Sequence, residues 1–161
     1  MDRNEIAAAL LPYKMRPYLS CDEGAAIALW QRTWQLTYPD IDFAARVPWW
    51  RARWRDELLP KATVVVAEAD GALIGFVTVE EASGYLDQIV VGPEAWGSGL
   101  AEALLHEAKR ISPQGIDLMV NTDNARAIQF YAKHGFTITG AGVSPLSKRP
   151  LHRMSWRPSP A

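Results

Sequence analysis

The stretch IVVGPEAWGSGLA, residues 89–101, carries the clearest structural signal in this chain of 161 residues. Its β-branched start is typical of a buried strand. The glycines that follow precede a run of apolar residues with helical spacing that ends at Ile111. Glycine lets the backbone approach a ligand closely, and the start of a helix presents unpaired N–H groups and the positive end of its dipole. The stretch therefore predicts an anion site, most simply for a pyrophosphate, with an ordinary strand-to-helix turn as the alternative.

Two common phosphate-binding loops do not fit this stretch. A P-loop needs Lys and then Ser or Thr after its last glycine, where Leu100 and Ala101 stand here. A dinucleotide-binding fingerprint needs Gly or Ala three residues after Gly99, and Glu102 stands there instead. A carboxylate at that point would also repel a phosphate.

Outward from this stretch, changes in hydrophobic period predict the remaining elements. Upstream we expect a strand at 14–19, helices at 23–36 and 43–59, and strands at 62–69, 73–80 and 85–91. Downstream we expect a helix at 100–111, a strand at 115–121, a helix at 124–133, and strands at 136–143 and 151–157. The order β-α-α-β-β-β-α-β-α-β-β predicts an α/β fold with a mixed central sheet and helices on both faces.

Composition and charge indicate one globular domain. Hydrophobic residues make up 48% and charged residues 22% of the chain, which argues against disorder. With 17 Lys and Arg against 18 Asp and Glu, the net charge is −1, so we expect neither nucleic acid nor a membrane as partner. The single cysteine, Cys21, excludes an intramolecular disulfide and a cysteine-based zinc site. We expect a cytoplasmic protein with one domain over 1–161, in which 1–13 form an N-terminal extension with a short helix.

A second motif, NARAIQFYAKHGF at residues 124–136, follows the predicted strand at 115–121. Asn124 is a good helix N-cap. Asn124, Ala127 and Tyr131 are three and four residues apart and therefore share one helix face. Tyr131 is then either a functional residue or a helix tyrosine with a buried ring and a hydroxyl in water.

Together the two motifs resemble the GCN5-related N-acetyltransferase (GNAT) family over about residues 14–156. The first resembles the (Gln/Arg)-x-x-Gly-x-(Gly/Ala) acyl-CoA loop, which Gly99 and Ala101 match, with Gly97 as a frequent extra glycine. Trp96 departs from it, because Gln or Arg is usual there. The second resembles the family's Asn-x-x-Ala-x-x-Phe-Tyr-x-x-x-Gly-Phe segment, with matches at Asn124, Ala127, Phe130, Tyr131, Gly135 and Phe136.

This resemblance implies a twisted, mostly antiparallel sheet of about seven strands and transfer of acetyl from acetyl-CoA to a primary amine. Attack would be direct, in a ternary complex, with no metal involved. The strands at 85–91 and 115–121 would splay apart, and the pantetheine arm would pair with the first of them. An N–H near Val90 or Val91 would polarise the thioester carbonyl. The implied cofactor contacts are Ile89, Val90, Val91, Trp96, Gly97, Ser98, Gly99, Leu100, Ala101, Asn124, Ala127 and Tyr131. Trp96 could lie along the cofactor or, as we favour, fill a gap in the core.

An alkyl ammonium must lose a proton before it attacks, which costs roughly 4–5 kcal/mol at pH 7. A carboxylate commonly removes that proton, and the candidates are Asp87, Glu80 and Glu81. Alternation along the strand places Asp87 on the face of Tyr85, Ile89 and Val91. The resemblance makes Tyr131 the proton donor to the departing thiolate.

The amine acceptor, a small molecule or a peptide, is not identified by the sequence. In the family, the first two helices and the last hairpin wall the acceptor pocket, which implicates Trp34, Tyr38 and Asp40 here. Asp42 could serve there too, although helix capping explains it equally well. A homodimer is compatible with the sequence. The alternative to an enzyme is a non-catalytic acyl-CoA-binding or partner-binding module of the same fold.

Overall fold

The computed structural model describes residues 12–159. Its strands are β1 (Lys14–Pro17), β2 (Ala62–Ala69), β3 (Ala72–Glu80), β4 (Tyr85–Val91), β5 (Ile116–Asn121), β6 (Thr137–Val143) and β7 (Pro150–Trp156). Its α-helices are α1 (Glu23–Thr37), α2 (Phe43–Arg53), α3 (Leu100–Ile111) and α4 (Ala125–Lys133). This confirms the predicted order of strands and helices. The short helix predicted near the N-terminus lies outside the described residues.

The seven strands form one open sheet in the order β1-β2-β3-β4-β5-β7-β6. Every neighbouring pair is antiparallel except β4 and β5, which are parallel. The predicted mixed, mostly antiparallel sheet is therefore confirmed. None of the helices within residues 12–159 combines the length and apolar character needed to cross a membrane.

Helices cover both faces of the sheet, and each face has its own apolar core. Side chains alternate along β3, so Phe76 points to one core and Val77 to the other. The first core holds the α1 and α2 side chains, with Trp30, Trp50 and Trp54 among them. The second holds the apolar face of α3 and the buried side of α4.

The second helix does not remain α-helical to residue 59 as predicted. It changes at Trp54 into a π-turn over Trp54–Leu58, in which the Leu59 N–H donates to the Trp54 carbonyl at 2.9 Å. Trp54 and Leu58 both stay buried through this turn. Single π-turns often occur beside functional sites, and this one borders a cleft described below.

Candidate active site

β4 and β5 separate almost as soon as they meet. Their ladder contains a single pair, Tyr85 with Asp117, and the Asp117 N–H donates to the Gly84 carbonyl at 3.0 Å. From Leu86 onward the edge of β4 that faces β5 has no partner strand within residues 12–159. The result is a V-shaped gap that opens toward the glycine loop.

The main chain of β4 alternates between β3 and this gap. The Gly92 N–H donates to the Ile74 carbonyl on β3 at 2.8 Å, and Val90 is paired with Phe76 in the same register. Antiparallel alternation then directs the N–H and C=O groups of Ile89 and Val91 into the gap. The main chain of Val90 faces β3, so the predicted role of its N–H at the gap is wrong.

A β-bulge interrupts β4 at Asp87. Thr78 is paired with Gln88 while Val79 is paired with Leu86, which leaves Asp87 without a partner on β3. The Thr78 hydroxyl accepts the Gln88 N–H at 3.0 Å. Because of this extra residue, Asp87 stays on the α2 side with Tyr85, while Ile89 and Val91 face the opposite core. The prediction that Asp87 shares a face with Ile89 and Val91 is therefore wrong.

The Asp87 carboxylate is held by Arg53 from the end of α2. Both guanidinium ends donate to it, one at 2.8 Å, and the Gln88 side chain adds a longer bond at 3.3 Å. These hydrogen bonds from Arg53 to Asp87 raise the pKa of Arg53, against the opposing effect of its burial. Sequence reasoning missed Arg53, since no local pattern links two residues 34 positions apart.

A cleft of about 350 Å³ lies beside the bulge, on the π-turn side of the sheet. Its lining includes four carboxylates and two cations: Asp56, Glu57, Glu80, Asp87, Arg53 and Lys61. Glu80 is half-buried there, and its carboxylate has no hydrogen-bond or ion-pair partner within residues 12–159. Glu81 is exposed and lines a different cleft, with Gly84 and Arg157.

The glycine loop is shaped to leave its main chain accessible. Gly97 and Gly99 have φ values of +78° and +86°, which favour glycine, and Gly99 is the N-cap of α3. A Cβ at either position would meet nothing within 4 Å, so the space in front of the loop is open. The Ser98 hydroxyl donates to the Ala95 carbonyl within the loop, and Leu100 anchors the helix start in the core.

Trp96 lies on the surface of this loop. Its indole N–H donates to the Val91 carbonyl at 2.8 Å, and 37% of the residue is exposed. The guanidinium of Arg126, in the first turn of α4, lies 5.1 Å from the centre of its ring. The interpretation of Trp96 as a residue that fills the core is therefore wrong.

α4 forms the other wall near the loop. The Asn124 side chain accepts the Ala127 N–H at 3.2 Å, which confirms the predicted cap. Tyr131 is buried between Phe130 and Phe136, and burial raises its pKa. Within residues 12–159 its hydroxyl has no hydrogen-bond partner, so it is available to a ligand.

Comparison with known proteins identifies the family of this chain. The sequence model of the acetyltransferase (GNAT) family matches residues 25–136. The chain belongs to this family. It is 30% identical to the peptidyl-lysine N-acetyltransferase YjaB of Salmonella typhimurium over 118 residues, which are 71% of this chain and 76% of YjaB. It is 34% identical to the peptidyl-lysine N-acetyltransferase YiaC of Escherichia coli over 102 residues, covering 63% and 68% of the two chains. The chain is thus a GNAT acetyltransferase.

The fold of this GNAT protein also matches a solved structure. The PaiA N-acetyltransferase of Thermoplasma acidophilum, determined in complex with coenzyme A, superposes with a TM-score of 0.74. The match covers 91% of this chain and 99% of that one, at 20% identity.

Two of the acceptor residues predicted for this GNAT protein, Trp34 in α1 and Tyr38 directly after it, contact opposite sides of the gap. The Trp34 indole N–H points to the Gln88 side chain on β4, at 3.4 Å. The Tyr38 hydroxyl donates to Asp123, after β5, at 3.0 Å, and the Arg149 guanidinium lies over its ring. Burial, together with the bond to Asp123, raises the pKa of Tyr38 to about 12.

Neither of the two acids predicted near them makes a side-chain hydrogen bond or ion pair with β4 or β5 in the described part of the chain. Asp40 is exposed in the turn after α1, with no side-chain partner in the described part of the chain. Asp42 caps α2, where its carboxylate accepts the Ala45 N–H at 3.1 Å. Helix capping therefore explains Asp42, and Asp40 is the acceptor prediction with least structural support.

Proposed function

We propose that this enzyme transfers the acetyl group of acetyl-CoA to a primary amine by direct attack in a ternary complex. The observation that carries the proposal is the unpaired edge of β4, which leads directly into the open glycine loop. An unpaired strand edge suits a ligand with amide groups. A helix start suits phosphates, and in this loop the N–H groups of Gly97, Gly99 and Ala101 have no partner within residues 12–159. The proposed catalytic domain spans 1–161.

The residues of this site fit acetyl-CoA as cosubstrate. The main chain of Ile89 and the N–H of Val91 would pair with the amides of the pantetheine arm. The N–H groups of Gly97, Gly99 and Ala101, which have no partner within residues 12–159, would hold the pyrophosphate. Asn124, Ala127 and Tyr131 would line the other wall. When bound, acetyl-CoA supplies the acyl group as a thioester.

Ile89 is the residue best placed to donate a hydrogen bond to the thioester oxygen. It lies two strand residues, about 7 Å, farther from the phosphate loop than Val91, and it is close to the bulge and the cleft. An N–H that is already aligned at this point stabilises the negative charge that develops on the oxygen during attack.

We assign proton removal from the amine to Glu80. Its carboxylate borders the cleft without an ion-pair partner, whereas Asp87 is engaged by Arg53. A free carboxylate accepts a proton directly or through a water molecule. In this mechanism Asp87 and Arg53 shape the acceptor side of the gap and do not themselves take the proton.

Tyr131 would assist the departing thiolate by donating a hydrogen bond. Its raised pKa keeps the phenol protonated at neutral pH. The ordinary thiol pKa of about 8.5 means that complete proton transfer from the phenol is not needed. This role depends on a donor that is buried and has no competing partner.

The charge of the cleft favours a cationic acceptor. Four carboxylates against two cations leave an excess of negative charge where an amine would enter. The acceptor is therefore a primary amine on a small molecule or a peptide. The names of the two relatives make a peptide lysine the first one to test.

Calorimetric titration of acetyl-CoA, with ADP and NAD as controls, tests the cosubstrate. Release of free thiol during incubation with a lysine peptide and a panel of small amines then tests transfer. Glu80→Gln should lower turnover by about a hundredfold and leave acetyl-CoA binding unchanged, with the neighbouring Glu81→Gln as the matched control. Tight binding without thiol release on any amine would favour the non-catalytic module.

A further inference from the structure

Trp96 and Arg126 form a bridge across the open end of the gap between β4 and β5, which is the proposed cofactor groove. Trp96 belongs to the loop after β4, and its indole N–H is fixed on the Val91 carbonyl at 2.8 Å. Arg126 belongs to the first turn of α4, on the opposite wall, and its guanidinium lies 5.1 Å from the ring centre of Trp96. The two walls of the groove are thus connected by a cation–π contact.

The other charged side chains around this loop are already paired. Glu94 is bound by Arg32, with one contact at 2.8 Å. Glu102, in the first turn of α3, has the Lys133 ammonium at the end of α4 at 3.7 Å. These contacts offset the negative charges that would repel an anion in front of the loop.

Arg126 differs from these residues, because it has no carboxylate partner within residues 12–159. Contact with an aromatic face orients a guanidinium without using its N–H donors. An arginine fork matches the geometry of phosphate oxygens. The loop residues 96–101 contribute no cationic side chain of their own.

We propose that Arg126, held in place by Trp96, binds a phosphate group of the CoA cosubstrate. This inference rests on the proposed function, since it assigns a residue to the same cofactor site. Trp96 is then a positioning residue: its indole N–H anchors the ring to β4, and the ring directs the Arg126 guanidinium toward the loop. The cation of the phosphate site comes from α4, across the groove, and not from the loop itself.

The test compares calorimetric dissociation constants for CoA and 3′-dephospho-CoA. Arg126→Gln should weaken CoA binding about tenfold, as expected for loss of one charge-assisted hydrogen bond, while Arg126→Lys should recover part of the loss. Arg110→Gln, an exposed arginine at the far end of α3, is the matched control and should bind as the unsubstituted protein does. Circular dichroism and thermal melting confirm that each variant is folded.

The same titrations test the role of Trp96. Trp96→Leu should weaken CoA binding several-fold in the unsubstituted protein and have little further effect in the Arg126→Gln background, because it acts through Arg126. Trp96→Phe keeps an aromatic face, so its CoA affinity should lie between those of Trp96→Leu and the unsubstituted protein.

Each outcome has a defined meaning. A loss confined to CoA assigns Arg126 to the 3′-phosphate, and an equal loss for both ligands assigns it to the pyrophosphate; either supports the proposal. Arg126→Gln binding CoA within twofold of the unsubstituted protein would overturn it and leave the proposed function intact. Failure of the unsubstituted protein to bind CoA would overturn both.

Discussion

Gly84 closes the vertex of the gap between β4 and β5, and its replacement by alanine should be costly. Its φ is +77°, a left-handed conformation that costs a non-glycine residue about 1–2 kcal/mol. A Cβ there would also lie 2.4 Å from the Gly115 carbonyl oxygen, which the Ser112 hydroxyl holds at 2.6 Å. Because this clash is with anchored backbone, we add roughly 1–3 kcal/mol for overpacking. The expected loss in the free energy of unfolding is about 3 kcal/mol.

Two other glycines separate the conformational part of this loss from the clash. Gly97 has nearly the same φ, +78°, but a Cβ there would meet nothing within 4 Å, so Gly97→Ala should cost only about 1.5 kcal/mol. Gly24 lies in the first turn of α1 in open space, where alanine should add about 0.5 kcal/mol of stability.

Urea unfolding followed by tryptophan fluorescence measures all three variants. In thermal melting, a loss of about 3 kcal/mol corresponds to a fall in Tm of roughly 6–12 °C for a chain of this size. If Gly84→Ala proves no less stable than Gly97→Ala, the clash with Gly115 does not exist and the described vertex is incorrect.

Three further predictions concern the site and its support. Gly99→Glu should abolish acyl-CoA binding, because it adds bulk and negative charge in the open space before α3; undiminished binding by a folded variant would contradict the loop assignment. Tyr131→Phe should lower kcat about tenfold while changing the acetyl-CoA dissociation constant little, and an unchanged kcat would make this residue purely structural. Hydrogen bonds from Arg16 hold the pKa of the Asp22 carboxyl below its usual range, so its stabilising effect is present above its ordinary pKa and is lost as pH falls through the lowered value. Asp22→Asn should therefore lower Tm by several degrees at pH 7 and by less in acid, and a deficit independent of pH would refute that reasoning.

The elements themselves were predictable because their signals are local. β2 and β4 have the bounds expected from sequence, since Asp70-Gly71 and Gly92-Pro93 mark their ends. The apolar face of α3 and the Asn124 cap of α4 follow from residues three and four positions apart.

The errors have a common cause in contacts between distant residues. Strict alternation placed Asp87 on the wrong side relative to Ile89, because the bulge depends on how β4 meets Thr78 of β3. The π-turn arises where the end of α2 packs on the sheet, and helical period alone does not reveal it. Hydrophobicity alone favours a core position for Trp96. It does not reveal that the Arg126 guanidinium, 30 positions later in the chain, lies over the indole ring.

The sequence by itself therefore determined the order of elements, the glycine loop, the family and the reaction class, since these depend on neighbouring residues and on short motifs. Only the tertiary structure decided which charged groups have a partner. Asp87 is engaged by Arg53, whereas in the described chain Glu80 has no cationic partner and Arg126 has no carboxylate partner. The physical reason is that a charged or hydrogen-bonding group acquires its role from the partner that the fold brings to it, and that partner is usually remote in sequence.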